Sequence, residues 1–439
     1  MSLLLPLHGA TSPLEGAPLR NLYQRLLADS GAHARQAAED FLRQQLQRLD
    51  DGPSPLPDDP GQLPGWVEQH CAAVARYFRN KAHALYFLRA VAPTKQVDGA
   101  WLYGTLRHWQ DCRYDGLVTT YLEELGSGEA AQNHVAIYRR LLAGQGCDND
   151  DGLLDEHFRQ GAIQLALGHC AEAYMPEVAG YNLGYEQLPL HLLISAWGLA
   201  ELGIDPYYFS LHVTIDNASC GHARRAVQAV RELQPLGRDA RRYWQRVARG
   251  YRLNDLGLGS SAVIQAFDLE RELVAMLERK RRFGQHLHGD HCRVDGRSIN
   301  QWLAQPGQIP AFLEALQGQG WIKRHQDPGR SRFWQLVEGA SAAMFGVFSG
   351  FEKQLLHDWI TGDEGAAAAR AQRARSNDRT PLPNPPDDEE TQALRGELAG
   401  LGVERQLACL LPWLGPQRHF RPAGLFATRR FIELRACLR

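Results

Sequence analysis

No run of this sequence stays apolar for the ~20 residues that a membrane-crossing helix needs, since its longest apolar stretches are far shorter. The opening Met1-Ser2-Leu3-Leu4-Leu5-Pro6 has no basic residues ahead of its short leucine run, so no signal peptide is expected. An excess of charge is missing too. Lys and Arg total 48 against 50 Asp and Glu, a formal net charge of −2 that recruits neither nucleic acid nor an anionic membrane. The eight cysteines are scattered with no CxxC pair. That pattern argues against a disulfide framework and leads us to expect reduced thiols in a cytoplasmic protein. There is no Walker loop, no GxGxxG after a strand and no GxSxG elbow, which removes the commonest nucleotide-binding and hydrolase readings.

What is present is helical periodicity. Hydrophobic residues make up 44% and charged residues 22%, a globular composition, and 439 residues are too many for one ordinary core. Residues 1–65 read as a helical extension (Leu19, Tyr23, Leu26, then Phe41, Leu42, Leu46) followed by a Pro-rich arm. From 66 to 248 amphipathic helices dominate, for example Leu117, Val118, Tyr121, Leu122, Leu125, and an all-α bundle is expected. Residues 249–362 suggest a smaller helical domain, 363–394 a flexible linker, and 395–439 a tail that docks back on the body.

The strongest local feature is His212-Val-Thr-Ile-Asp216, whose i, i+4 spacing puts both side chains on one helical face. Such a pair is more often hydrogen-bonded than metal-bound when it stands alone. Helix phase adds Glu124, in line with Leu117, Tyr121 and Leu125, whereas Glu123 is expected to face solvent. His134 shares the face of Ile137, Tyr138 and Leu141. Glu177 lies in an apolar helical stretch, although after Pro176 it reads equally well as a first-turn carboxylate. Buried carboxylates are costly unless paired or ligated. Three of them nearly neutralise two Fe(II) ions, and mixed imidazole and carboxylate ligands from several helices suit iron or manganese rather than structural zinc.

Over residues 75–230 the chain resembles the heme-oxygenase-like diiron oxidase and oxygenase superfamily, the iron-containing redox enzymes. The resembling segments are Ala92-Pro93 with Val97-Asp98-Gly99-Ala100-Trp101-Leu102, Tyr121-Leu-Glu-Glu124-Leu-Gly with His134 ten residues later, Glu177 with Gly180-Tyr-Asn-Leu-Gly-Tyr-Glu186, and Leu211-His212-Val-Thr-Ile-Asp216-Asn217. The resemblance implies a seven-helix bundle and metal ligands at Glu124, His134, Glu177, His212 and Asp216, with Glu124, Glu177 and Asp216 as the catalytic carboxylates. The family's further His, three residues past the Asp, is Ser219 here. His222 is the nearest substitute and reaches the metal only if the helix is bulged or unwound, which Gly221 eases.

Other candidates are weaker. His169 and Glu172 read as polar core, and His286, His288, His291 and Cys292 as a surface turn. Arg279-Lys-Arg-Arg282 reads as a solvated helix end, and His419-Phe-Arg-Pro422 is distinctive without an evident chemistry. The expected function is a non-heme diiron, O2-activating oxidase or oxygenase acting on a small, nitrogen-bearing or amino-acid-derived metabolite. N-oxygenation and oxidative C–C or C–H cleavage are the reactions considered. Alternatives are a metal-poor scaffold, a desaturase or decarboxylase of an aliphatic acid, and heme binding through His83. Partners are then the substrate and O2, with no nucleic acid or membrane and a homodimer left open.

Overall fold

The computed structural model describes residues 18–49, 54–69, 77–186, 190–215, 221–340, 342–373 and 382–438. The fold is all-α. Among the described residues the only strands are a two-residue hairpin, Arg293–Val294 against Arg297–Ser298. Local chemistry sets many helix starts. The side chains of Asn80, Asn133, Asp268 and Asp388 each accept a first-turn backbone N–H of the helix that follows, satisfying donors that have no intrahelical partner.

The amino-terminal stretch forms two helices, Pro18–Ala28 and Ala32–Arg48. Asp29 accepts the Gly31 N–H at 2.8 Å in the turn between them. Both pack on the helix Arg159–His169, burying Tyr23, Leu26, Ala38 and Leu42. Beyond them the Pro-rich arm is anchored rather than loose, because Leu56 and Leu63 are buried against Ala223, Val227 and Val247.

Two large apolar clusters organise the body. One joins the helix Lys81–Ala90 and residues 137–142 and 196–209 to side chains between Val263 and Ile360, so the region from 249 to 362 shares a core with the bundle. The other joins the amino-terminal helices and residues 97–125 and 158–181 to the carboxy-terminal Leu394, Leu407, Leu410, Leu414 and Phe431. The tail is therefore seated on the bundle. The expected linker at 363–394 is helical at both ends. Gly350–Arg373 runs through its start, past a break at Gly362 (φ 71°), and Glu389–Leu398 begins behind the Asp388 cap. No helix among the described residues is long and apolar enough to cross a membrane.

The helices Asp115–Glu124, His134–Gly144, Met175–Tyr185, Tyr207–Ile215 and His222–Glu232 carry the buried Glu124, His134, Glu177, His212 and His222. Met175–Tyr185 is set by an unusually close crossing with Asp239–Arg252. A Cβ on Gly180 would run into the Val247 carbonyl, and one on Gly250 into the Glu177 carbonyl. Neither backbone can give way, so the small residues fix the helix separation. Gly250→Ala should lower the unfolding free energy by about 1–2 kcal/mol, because overpacking at ~1–3 kcal/mol exceeds the ~1 kcal/mol of helix propensity gained. Urea unfolding monitored by circular dichroism measures this.

Candidate metal centre

Two groups of buried donors meet at one carboxylate. Donor atoms of Asp98, Glu124, His134 and His212 lie within 4.8 Å of one another, and so do those of Glu124, Glu186 and His222. Glu124 belongs to both groups through different oxygens. Its Oε2 is 2.5 Å from His134 Nδ1, and its Oε1 is 3.4 Å from His222 Nδ1. Asp98 Oδ2 lies 3.4 Å from His212 Nε2, and Glu186 Oε2 lies 3.1 Å from His222 Nδ1.

Each donor has a local reason for its place. Glu124 ends its helix, and His134 opens the next one behind the Asn133 cap. Asp98 sits in a turn closed by Gly99, whose φ of 80° favours glycine and whose Cβ, if present, would lie 2.9 Å from Glu124 Cβ. Glu186 caps the carboxyl end of Met175–Tyr185. His212 donates from Nδ1 to the Tyr208 carbonyl at 2.7 Å, which leaves Nε2 turned toward Asp98. His222 begins a new helix behind an extended Gly221 (φ −86°, ψ −162°) rather than continuing the His212 helix. That break falls at Gly221, where a bulge or unwinding was expected, and His222 behind it meets Glu124. Its Nε2 faces Glu123 Oε2 at 2.8 Å, so Nδ1 is the nitrogen presented to Glu124 and Glu186. An orienting carboxylate on the far ring nitrogen is what metal-binding histidines ordinarily have.

A polar network surrounds Asp98. Tyr185 Oη donates to Asp98 Oδ1 at 2.8 Å, Tyr208 Oη donates to Oδ2, and Lys95 Nζ donates to Tyr185 Oη at 2.7 Å. Burial pushes the Asp98 carboxyl up, but Lys95 and His212 outweigh it and hold the group below the usual carboxylate range. The two tyrosines are pushed well above their ordinary value by burial and then by the Asp98 charge, so they stay protonated donors. Trp101 Nε1 donates to Asn182 Oδ1 at 2.9 Å and packs against the Tyr185 ring at 4.4 Å.

Of the residues singled out from sequence, Glu124, His134, His212 and His222 are brought together. Asp216 and Ser219 lie outside the described residues. Glu177 is not among the grouped donors. Arg246 donates to both its oxygens, at 2.7 and 2.6 Å. Nine residues separate Glu177 from Glu186, which on a regular helix is half a turn around and roughly 13 Å along the axis. The two carboxylates therefore cannot serve one site. Phase does favour Glu186, which aligns with the buried Ala179 and Leu183. Asp98 carried no periodic signal, being in a turn. Glu123, expected in solvent, is half-buried between His222 and Arg225; burial raises its pKa, but the His222 hydrogen bond and Arg225 together lower it below the ordinary value.

The remaining candidates have other roles. His83 is engaged at both nitrogens, accepting from Arg79 N–H at 3.3 Å and donating to the Ile264 carbonyl at 2.9 Å, and it stacks on Phe267 at 4.6 Å. That occupancy argues against an axial heme ligand. His169 donates to the Leu26 carbonyl at 2.7 Å, and Glu172 is exposed. Around His286–Cys292 no group of three close ligands occurs among the described residues. Within the basic run, Lys280 pairs with Glu352 at 2.9 Å and Arg281 donates to the Leu303 carbonyl at 2.8 Å, so both hold structure.

Buried Asp, Glu and His donors with no cysteine match the preference of iron or manganese rather than structural zinc. Residues 85–255 match the model of a protein family described as iron-containing redox enzymes, and this range contains Asp98, Glu124, His134, Glu186, His212 and His222. No curated protein and no solved structure matches the chain.

Two outcomes follow from this geometry. Glu186→Ala should remove metal from the folded protein, whereas Glu177→Ala should retain it and lower stability by about 1–3 kcal/mol through the orphaned Arg246 contact. Elemental analysis with urea unfolding separates them. Stability should also fall on acidification. Burial pushes His83 down to about 4 and His419 down to about 3, while in the unfolded chain a histidine titrates near ~6.5. The native state is thus fully favoured above that pH and loses about 1.4 kcal/mol per pH unit per histidine as pH falls toward the native values. Urea midpoints of metal-free protein at pH 7.5, 6 and 5 check the sign; a midpoint that rises in acid would contradict it.

Proposed function

We propose, from the match of residues 85–255 to the iron-containing redox enzymes, that the chain is an O2-dependent oxidoreductase holding two non-heme irons. The observation that carries this reading is the sharing of Glu124 by two donor groups, one oxygen facing each. One ion would be held by Asp98, Glu124, His134 and His212, and the other by Glu124, Glu186 and His222. Asp216, four residues beyond His212 in sequence, is proposed to complete the set. Four carboxylates then balance two Fe(II) ions, so the buried site is neutral. Manganese suits the same ligands. When bound, the metal pair supplies the electrons and the open coordination position for O2.

The chain's own residues have distinct tasks in this reading. Tyr185 and Tyr208 hold protons at Oη against Asp98 and keep that carboxylate oriented. Lys95, Tyr185 and Asp98 form a hydrogen-bonded line along which a proton can pass from Nζ through Oη to Oδ1. Buried Trp101, Tyr138 and Tyr181 exclude water from the surroundings.

For the substrate we propose a small, nitrogen-bearing, amino-acid-derived metabolite that undergoes N-oxygenation or oxidative bond cleavage in the cytoplasm. Support comes from a cavity of about 310 Å³ bounded by Tyr208, which also touches Asp98. Ile137, Leu141 and Ala131 give it an apolar wall, while Arg140 and Asp205, the latter also accepting the Tyr207 N–H, add one cation and one anion to its lining. Those are the partners that a carboxylate and an ammonium group require.

Anaerobic loading with Fe(II), followed by metal analysis and O2-electrode measurements, tests the proposal. The expected result is about two irons per chain with O2 uptake, and loss of uptake with fewer than one iron in Glu124→Ala. Wild-type protein that binds one iron or fewer and consumes no O2 would shift the reading to a metal-poor scaffold.

A further inference from the structure

The ten-residue step from Glu124 to His134 is gripped by the far end of the chain. Asn133 is the hub. Its Oδ1 accepts the Ala136 N–H at 3.0 Å, capping the helix that His134 opens. Its Nδ2 donates to the carbonyl of Leu125, the neighbour of Glu124, at 3.1 Å, and to His419 Nδ1 at 3.0 Å. Asn133 thus ties the end of the Glu124 helix to the start of the His134 helix, and His419 fixes the rotation of its amide. Asn133 and His419 are both essentially inaccessible to solvent.

The same region is held at other points. Tyr121 Oη donates to the Leu414 carbonyl at 2.6 Å, and Arg435 donates to Asp115 at the start of the Glu124 helix at 2.9 Å. Arg429 donates to the Gly128 carbonyl, and Asn384 accepts the Ala130 N–H at 2.7 Å. All these partners lie beyond the family-matched range of 85–255. A loop of this length joining two ligands would otherwise sample many conformations, and donors must be held to fractions of an ångström to bind metal well.

We propose that the carboxy-terminal segment is a working part of the metal centre, with His419 a positioning residue that acts through Asn133 to fix the Glu124–His134 pair. The proposal rests on the metal-binding reading above. It assigns a role to the His419-Phe-Arg-Pro422 motif, which the family region does not explain.

The test uses full-length protein and Co(II) as the probe. His419→Phe removes the acceptor while keeping an aromatic ring, and His419→Asn keeps an acceptor near the position of Nδ1. Expected for His419→Phe are 10–100-fold weaker Co(II) binding, an altered Co(II) absorption spectrum, and faster amide exchange confined to residues 125–137. His419→Asn should recover most of all three. Wild-type binding, spectrum and exchange in His419→Phe would overturn the proposal, as would an Asn variant no better than the Phe variant. If His419→Phe does not fold, Asn133→Ser keeps the helix cap but replaces the two-donor amide nitrogen by one hydroxyl that cannot donate to both Leu125 and His419, and the same readings apply. If wild-type protein binds no Co(II), the metal reading fails by itself. Exchange in the metal-free variants then decides whether His419 positions His134.

Discussion

The Glu124 carboxylate is the constraint around which the rest is arranged. It is almost fully buried and has imidazoles at both oxygens. An ionised carboxylate in such surroundings is tolerable only if positive charge or several donors compensate it. Glu124 therefore dictates where His134 and His222 must be, and through them where three helices begin or end. The break before His222 follows from this requirement. A continuous helix from His212 would carry His222 away from the carboxylate, whereas restarting at an extended Gly221 returns it.

A second charge, Asp98, is handled differently. Two tyrosine hydroxyls and a histidine surround it, with Lys95 one hydrogen bond further out. The close crossing at Gly180 and Gly250 helps place Tyr185 and Glu186 at the end of their helix. Helix packing and site electrostatics are in this sense one problem. The seating of the tail belongs to it as well, because the tail adds fixed partners to the loop between Glu124 and His134.

Much of this was legible in the sequence. Helical class followed from periodicity, and the inward facing of Glu124 and His134 from their phase with Leu117, Tyr121, Ile137 and Tyr138, all of them buried. His212 was singled out by spacing and resemblance and His222 as the nearest substitute for the histidine absent at Ser219, and both fall among the grouped donors. Glu177 shows where that reasoning stops. An apolar flank signals burial but does not tell a carboxylate facing a metal from one facing an arginine on another helix, and Arg246 is 69 residues away in sequence. Glu123 erred the opposite way, since its phase pointed to solvent while the His222 helix came over to meet it.

The sequence by itself determined the helices, the apolar faces and the short-range caps, because these depend on residues three or four positions apart. Only the tertiary structure decided which buried acids face one another, that Asp98 and Glu186 join the centre, and that His419 reaches Asn133. Those relations link residues up to 286 positions apart. No local pattern encodes them, because they are set by how whole helices pack and by the need of each buried charge for a partner.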